Sequence, residues 1–291
     1  MTTLFIGLST LDIQYFVDEF PASNIKTKTE EPQLLVGGPA TNSAVANSFL
    51  GSKSVLISGV GNSPFQSLFQ KDFEDWNIKH IDVYNGRNQL PVLASVITSK
   101  SNGDRNIFTY NPSDNGYELD YGAIMDEIKP NQLLVDGFYP GIAVPFCKIA
   151  KENNIPIVFD GGSWKPHLTD LLPYIDYAIC SANFFPPECK TRCDVKSFLN
   201  NAGIKRIAIT NGSGPVWFVD ENCSAEIEIA PVRSIDTLGA GDFFHGAFCF
   251  YNLRGLSFEE TLVKASVVAS KSCEYPGTRE WLKKLEKETF L

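Results

Sequence analysis

The run Asp236-Thr237-Leu238-Gly239-Ala240-Gly241-Asp242 sets three small residues directly before an aspartate. An apolar, helix-like run follows it (Phe243, Phe244, Ala247, Phe248, Phe250). Small residues let another molecule approach the backbone closely. The N-terminus of a helix points free N–H groups and positive dipole at whatever sits there. Together they make an anion site, and phosphate is the anion such sites most often hold. A carboxylate at the rim repels phosphate, so Asp242 is poorly explained as an anion ligand. It is well explained as a base that takes the proton from a hydroxyl attacking the phosphate. Spacing alone leaves a second reading open. Gly-rich turns often precede helices, and an acidic residue in a first turn compensates the dipole.

Around this stretch, short apolar runs alternate with helix-like segments. Thr3–Leu8, Ser54–Val60, Gln132–Phe138, Ile155–Asp160, Asp176–Cys180 and Arg206–Thr210 read as strands. Thr41–Leu50, Pro64–Asp75, Tyr121–Ile128, Val144–Asn153 and Val195–Asn201 read as amphipathic helices. Continuous apolar strands joined by crossover helices predict an α/β doubly wound, mostly parallel sheet flanked by helices. Ligands in such sheets bind beyond the carboxyl ends of the strands.

Two regions break the alternation. Asp12–Phe20 and Gln33–Val36 are β-like with no helix between them. Gln89–Thr98 and Arg105–Tyr110 form a hairpin pattern closed by Ser101-Asn102-Gly103-Asp104, in which Asn-Gly is a strong turn signal. These pieces make either a small separate sheet or edge strands of the main one. Arg279–Leu291 carries a mixed-charge amphipathic pattern and reads as a surface helix. The chain shows no repeat and no linker, so 1–291 reads as one domain.

The bulk numbers remove several function classes. The 291 residues are 43% hydrophobic and 20% charged, which suits a packed core. A formal net charge of −9 argues against nucleic acid or an anionic membrane as the main partner. The seven cysteines are scattered, and Cys189 and Cys193 have no second pair at zinc spacing. The start of the chain carries no signal pattern, and no stretch approaches the ~20 apolar residues of a membrane span. The expected location is the cytoplasm. There is no Gly-Lys dipeptide for a Walker A loop, no kinase Asp-Phe-Gly triplet, and no G-x-G-x-x-G after the first strand.

D-T-x-G-A-G-D resembles the second signature of the ribokinase-like (PfkB) carbohydrate kinases. Gly37-Gly38-Pro39-Ala40-Thr41-Asn42 is similar to their first signature and lies in the expected N-terminal third. The resemblance covers nearly the whole chain. It implies an ATP-dependent kinase with Asp242 as general base and the amides of Gly239, Ala240 and Gly241 holding charge on the transferred phosphoryl group. It implies a small β-sheet lid over the sugar, built from about 12–36 and 89–110. Asp12 would bind sugar hydroxyls, with Gly37, Gly38 and Asn42 beside it and Arg105 reaching from the lid.

On the nucleotide side, Ile207-Ala208-Ile209-Thr210-Asn211-Gly212-Ser213-Gly214 resembles the family's loop along the ATP phosphates. That implies roles for Thr210, Gly212 and Gly214. Ala265–Cys273 followed by Pro276-Gly277 resembles the adenine wall, which implies Cys273 and Gly277. Magnesium would bridge the ATP phosphates, and Asp236 would support a loop for a monovalent cation such as K+. Without the resemblance, Asp236 caps a turn, Asp12 is an exposed turn residue, Asn42 lies at the start of a helix, and Arg105 is a solvated hairpin arginine.

Cys273 and Asn102–Asn106 are reminiscent of ketohexokinase-type members. A homodimer through the lid is expected. The chain also departs from the family. Ser181–Glu188 does not match the Asn-x-x-Glu element that organises magnesium, so Asn183 and Glu188 are not assigned to the metal. Pro39 stands where many relatives carry a polar sugar contact.

The expected substrate is a small neutral sugar, a ketohexose or pentose, with a primary hydroxyl. A nucleoside kinase stays open because Phe16, Phe108 and Tyr110 could wall a base. A sugar-phosphate kinase would need Arg105, Lys26, Lys28 and Lys165 as its cations. A non-enzymatic sugar sensor would have no need of Asp242.

Overall fold

The computed structural model describes residues 1–101, 105–112, 116–221 and 223–290. The strands in chain order are β1 (Thr2–Ile6), β2 (Thr10–Val17), β3 (Gln33–Gly37), β4 (Lys53–Ser58), β5 (Ile78–Asp82), β6 (Val92–Ser99) and β7 (Arg105–Tyr110). They continue with β8 (Gln132–Val135), β9 (Ile157–Gly161), β10 (Tyr177–Ser181), β11 (Arg206–Asn211), β12 (Gly214–Asp220) and β13 (Cys223–Ile227). The helices are α1 (Pro39–Phe49), α2 (Gln66–Asp75), α3 (Tyr121–Ile128), α4 (Pro140–Glu152), α5 (Arg192–Asn201), α6 (Ala240–Asn252), α7 (Phe258–Ser272) and α8 (Glu280–Lys284).

Among the described residues, nine strands form the main sheet in the order β13-β12-β11-β10-β9-β8-β1-β4-β5. Pairing from β11 across to β5 is parallel, and β12 and β13 close one edge antiparallel. Side chains alternate between the two faces. Phe5, Leu56, Leu134, Val158 and Ile179 pack with residues of α1, α6 and α7 on one face. Leu4, Ile6, Leu133, Val135 and Phe159 pack with residues of α4 and α5 on the other. Burial on both faces explains why these strands read as unbroken apolar runs. The doubly wound expectation holds, with small shifts at the strand ends.

Three strands were not expected. β5 lies at an edge, and its sequence Ile-Lys-His-Ile-Asp gives no apolar run. β12 and β13 follow the Gly-rich turn that dominated the reading of that segment.

The second sheet is separate, with order β3-β2-β6-β7. β2 and β6 pair parallel, while β3 and β7 flank them antiparallel. The strands expected in the two irregular regions therefore pair with one another and not with the main sheet. Asn102–Asp104, the expected hairpin turn, lie outside the described residues.

The C-terminal expectation is corrected. Among the described residues there, only Glu280–Lys284 is α-helical, and Trp281 is fully buried with Leu282 and Phe290 close to it in burial. The Trp281 ring meets Phe49, Phe243 and Phe290 edge-on. The charges that suggested a surface helix occupy only its outer side.

Helix α1 is the structural centre. Its residues Ala40–Asn47 are all buried, because the sheet lies on one side and α6 on the other. Close crossing with α6 demands small residues. A Cβ on Gly246 would stand 2.2 Å from the Ser43 carbonyl oxygen and 2.9 Å from the Ala46 side chain. Two polar side chains of α1 bond inside this packing: Ser43 donates to the Asp242 carbonyl at 2.9 Å and Asn47 Nδ2 to Ser54 at 2.8 Å.

Candidate active site

Asp242 stands in the first turn of α6. Gly239 is the residue before the helix and has φ 76°, a left-handed conformation that glycine adopts without strain. The Asp242 carboxylate accepts a hydrogen bond from Asn42 Nδ2 at 2.8 Å. That bond joins the two sequence signatures, since Asn42 lies on α1. A Cβ on Gly239 would come within 3.3 Å of the same nitrogen. No side chain lies within 4 Å of the Cβ position of Gly241, so the backbone there is open to a ligand.

Asp242 titrates at about 7, far above an ordinary carboxylate. Burial is the main cause, and the Asp160 carboxylate raises it further. The Asn42 hydrogen bond and His245 pull the other way, and Asp136 adds a smaller upward push.

Asp136 and Asp160 belong to a buried acidic cluster at the carboxyl ends of β8 and β9. Asp136 accepts from the backbone N–H groups of Leu8 at 2.7 Å, Phe138 at 3.0 Å and Ala40 at 3.2 Å. Burial still raises it to about 6. Asp160 is likewise raised by burial, opposed by His245 and Lys165. His245 Nδ1 lies 3.5 Å from the Asp160 carboxylate and donates to the Gly241 carbonyl at 2.7 Å. The carbonyl that His245 holds therefore belongs to the same turn as the Asp242 carboxylate.

Asp12 follows β1 and lies within β2, and it is held above the usual carboxylate range by burial. A hydrogen bond with Thr10 and the charge of Arg279 oppose that shift. A Cβ on Gly37 would fall 2.8 Å from the Asp12 carboxylate, so only glycine leaves room there. Gly38 has φ 101°, and a Cβ on it would meet the Leu8 carbonyl oxygen at 2.3 Å. Its carbonyl accepts from Asn42 N at 2.9 Å. Asp12, Gly37, Gly38, Asn42, Gly239 and Asp242 are thus linked by a short series of contacts. Arg105 opens β7, and its side chain lies outside the described residues.

The nucleotide-side candidates fall in two places. Thr210 stands one residue before the end of β11, where its carbonyl accepts from Ala182 N at 2.8 Å, and Gly212 turns with φ 56°. Cys273 and Gly277 follow α7 and meet Asp236. The Cys273 carbonyl accepts from Ile235 N at 2.7 Å and from Asp236 N at 3.2 Å. The two carboxylate oxygens of Asp236 accept from Leu238 N and Gly277 N, each at 2.9 Å. This is the geometry of a side chain that caps its own loop. Among the described residues no group of three or more His, Cys, Asp or Glu side chains could hold a metal ion. A cavity of about 250 Å³ lined by Phe185, Arg192 and Trp217 sits by α5, where Trp217 packs in the core on the sheet face away from α6.

A family model described as "pfkB family carbohydrate kinase" matches residues 2–285. The chain belongs to this family. Among similar pfkB-type proteins, a ribokinase of Dictyostelium discoideum is 28% identical, with 94% of this chain and 95% of that protein covered. A nucleoside kinase of Methanocaldococcus jannaschii is 24% identical, with 97% and 96% covered. A putative ribokinase from Agrobacterium tumefaciens has the same fold, with TM-score 0.85 at 22% identity over 99% of this chain and 95% of that one. Membership of the pfkB family makes the chain an ATP-dependent phosphotransferase acting on a small sugar or nucleoside. Nothing in these similarities singles out a ketohexokinase-type subgroup.

The sequence reading missed Asp136, Asp160, His245, Asp72 and Arg279. Two of them carried a signal. Asp136 and Asp160 each end an unbroken apolar strand, which places an acid at the ligand end of a parallel sheet. Asp72 and Arg279 had none, because their contacts join segments distant in sequence.

Proposed function

We propose that this chain transfers the terminal phosphoryl group of ATP to a primary hydroxyl of a small neutral sugar. Asp242 is the general base. The observation that carries the reading is a half-buried carboxylate at a helix N-terminus, raised to about 7 and aimed by Asn42. The first-turn amides of α6, from Gly239 through Ala240 and Gly241, face the charge that builds during transfer. Asp12, Gly37 and Gly38 hold the sugar, with Asn42 and Arg105 at its margin. Thr210, Gly212 and Gly214 line the phosphates, and Cys273 and Gly277 wall the base of the nucleotide. Magnesium, when bound with ATP, would supply charge neutralisation on the phosphates, held mostly through water. Asp236 shapes the loop between the two sites; a K+ ion there would be held by backbone carbonyls.

The small sheet acts as the lid over the sugar. Asp12 pairs with Ala94, and Ala94 with Thr109, so these three share one face. Phe108 and Tyr110 therefore lie on the opposite face. They do not wall a pocket with Asp12, and of the three expected wall residues Phe16 alone shares its face, which favours a neutral sugar over a nucleoside. Leu34, which shares their face, is also exposed, and this apolar surface suits a homodimer through the lid.

An ADP-release screen over pentoses, ketohexoses, nucleosides and hexose phosphates tests the reading. The expected outcome is the highest specificity constant for a neutral sugar. A nucleoside or hexose phosphate at least tenfold better than every neutral sugar overturns the substrate class.

A further inference from the structure

Arg279 sits two residues beyond Gly277, and its side chain is only 11% exposed. Its Nε and Nη2 form a fork on the Asp72 carboxylate of α2 at 3.0 and 2.9 Å. Nη2 also donates to the Val36 carbonyl on β3 at 3.1 Å. Nη1 donates to Asn42 Oδ1 at 2.8 Å and to the Thr278 carbonyl at 3.2 Å. Asn42 Nδ2 in turn donates to Asp242.

We propose that Arg279 is a positioning residue for phosphoryl transfer, acting through Asn42 on Asp242. A primary amide has one end that donates and one that accepts, and the two are nearly the same shape. Turned over, Asn42 would present its oxygen to a carboxylate. Arg279 prevents this because a guanidinium only donates and so accepts nothing but the oxygen end. The fork on Asp72 fixes the guanidinium plane, which fixes the amide, which aims the carboxylate. Asp72 is itself only 14% exposed, so the fork is largely shielded from water. Val36 ties the same guanidinium to the small sheet, so the aim of the base and the seating of β3 share one side chain.

This inference rests on the reading of Asp242 as the base, and the experiment separates the two. Arg279→Gln, Asn42→Ala and the double variant are assayed with Asp242→Asn beside them. In the parent background Arg279→Gln lowers kcat by about tenfold, within the range by which contacting residues couple, and leaves the KM for ATP within about twofold. In the Asn42→Ala background the same change lowers kcat by less than about twofold, because the path is already cut. Equal effects in both backgrounds overturn the relay, as does a loss seen only in melting temperature. Should Arg279→Gln fail to fold, Asp72→Asn is read in the same two backgrounds against the same criterion. If Asp242→Asn keeps turnover, the base assignment itself falls, whatever Arg279 does.

Discussion

On the main-sheet side of the crevice, Asp72, Arg279, Asn42 and Asp242 form one run of hydrogen bonds between 2.8 and 3.0 Å. On the small sheet, Leu34, Phe108 and Tyr110 stand 52%, 68% and 47% exposed. The first region joins four segments of chain, and its groups are partly or fully shielded from water, so loss of a partner leaves a poorly solvated polar atom. The second is held by backbone pairing; Leu11 and Val36 on the same face are buried in the core, and the apolar side chains beyond them are exposed. The difference separates two kinds of sensitivity. Changes on the main-sheet side act on rate, whereas changes on the small sheet act on ligand seating or association. On that sheet Asp12 carries a half-buried carboxylate beside Gly37.

The largest effect is expected at Asp242. Asp242→Asn keeps the shape and a hydrogen-bonding partner for Asn42 but cannot take a proton. Turnover drops by about 10²–10⁴-fold, while ATP and sugar binding by calorimetry stay close to the parent. Turnover within a few fold of the parent erases the distinction between the two regions, since the best-anchored carboxylate would then have no chemical role.

Asp12 tests the one part of the small sheet expected to matter. Asp12→Ala removes charge-assisted hydrogen bonds to sugar hydroxyls worth about 1.5–3 kcal/mol each. The KM for sugar rises steeply, and the KM for ATP changes little. Equal rises in both would move Asp12 out of the sugar site and make the small sheet a purely structural element.

Acidity sharpens the comparison further. The specificity constant reports the free enzyme, so it should rise with pH through about 7 as Asp242 loses its proton. Asp160→Asn removes a negative neighbour that raises Asp242, so the rising limb moves to lower pH. Each unit of movement is tenfold in the charged fraction below the limb. The stability sign is the opposite. A carboxyl group raised in the folded state favours folding while protonated, and that contribution is lost as pH climbs from the ordinary carboxylate range through about 7. A limb that stays in place in Asp160→Asn would show that burial alone sets the value.

The parallel half of the main sheet was legible because burial on both faces writes continuous apolar runs, as at Leu133-Leu134-Val135 and Ile157-Val158-Phe159. The two glycine-rich signatures were legible because close backbone approach demands small residues in sequence. β5 was not, since an edge strand needs apolar groups on one side only. The C-terminal segment misled because Lys283, Lys284 and Lys287 mark its outer side while Trp281 and Phe290 carry the packing. Arg279 lay within that misread stretch. Its partners are 207 and 237 residues away, so no local pattern announces it.

The smallest effect on the folded monomer is expected at Phe108. Its row across the small sheet runs Leu34, Ile13, Ser95, Phe108, with both ends exposed. Phe108→Ser removes a ring from water-facing surface and opens no cavity, so the melting free energy should move by no more than about 0.5 kcal/mol. The crevice lies on the other face, so kcat and the sugar KM of the monomer should be close to the parent. Self-association is the quantity that responds. A face of this kind is the sort of apolar surface through which copies of a chain meet, and losing its most exposed ring weakens that contact. Sedimentation velocity over a concentration series reads the shift toward monomer directly. A loss of several kcal/mol in the melt would mean that Phe108 is packed in solution against its own chain. The contrast between an anchored active-site wall and an uncovered outer sheet face would then fail at its weaker half.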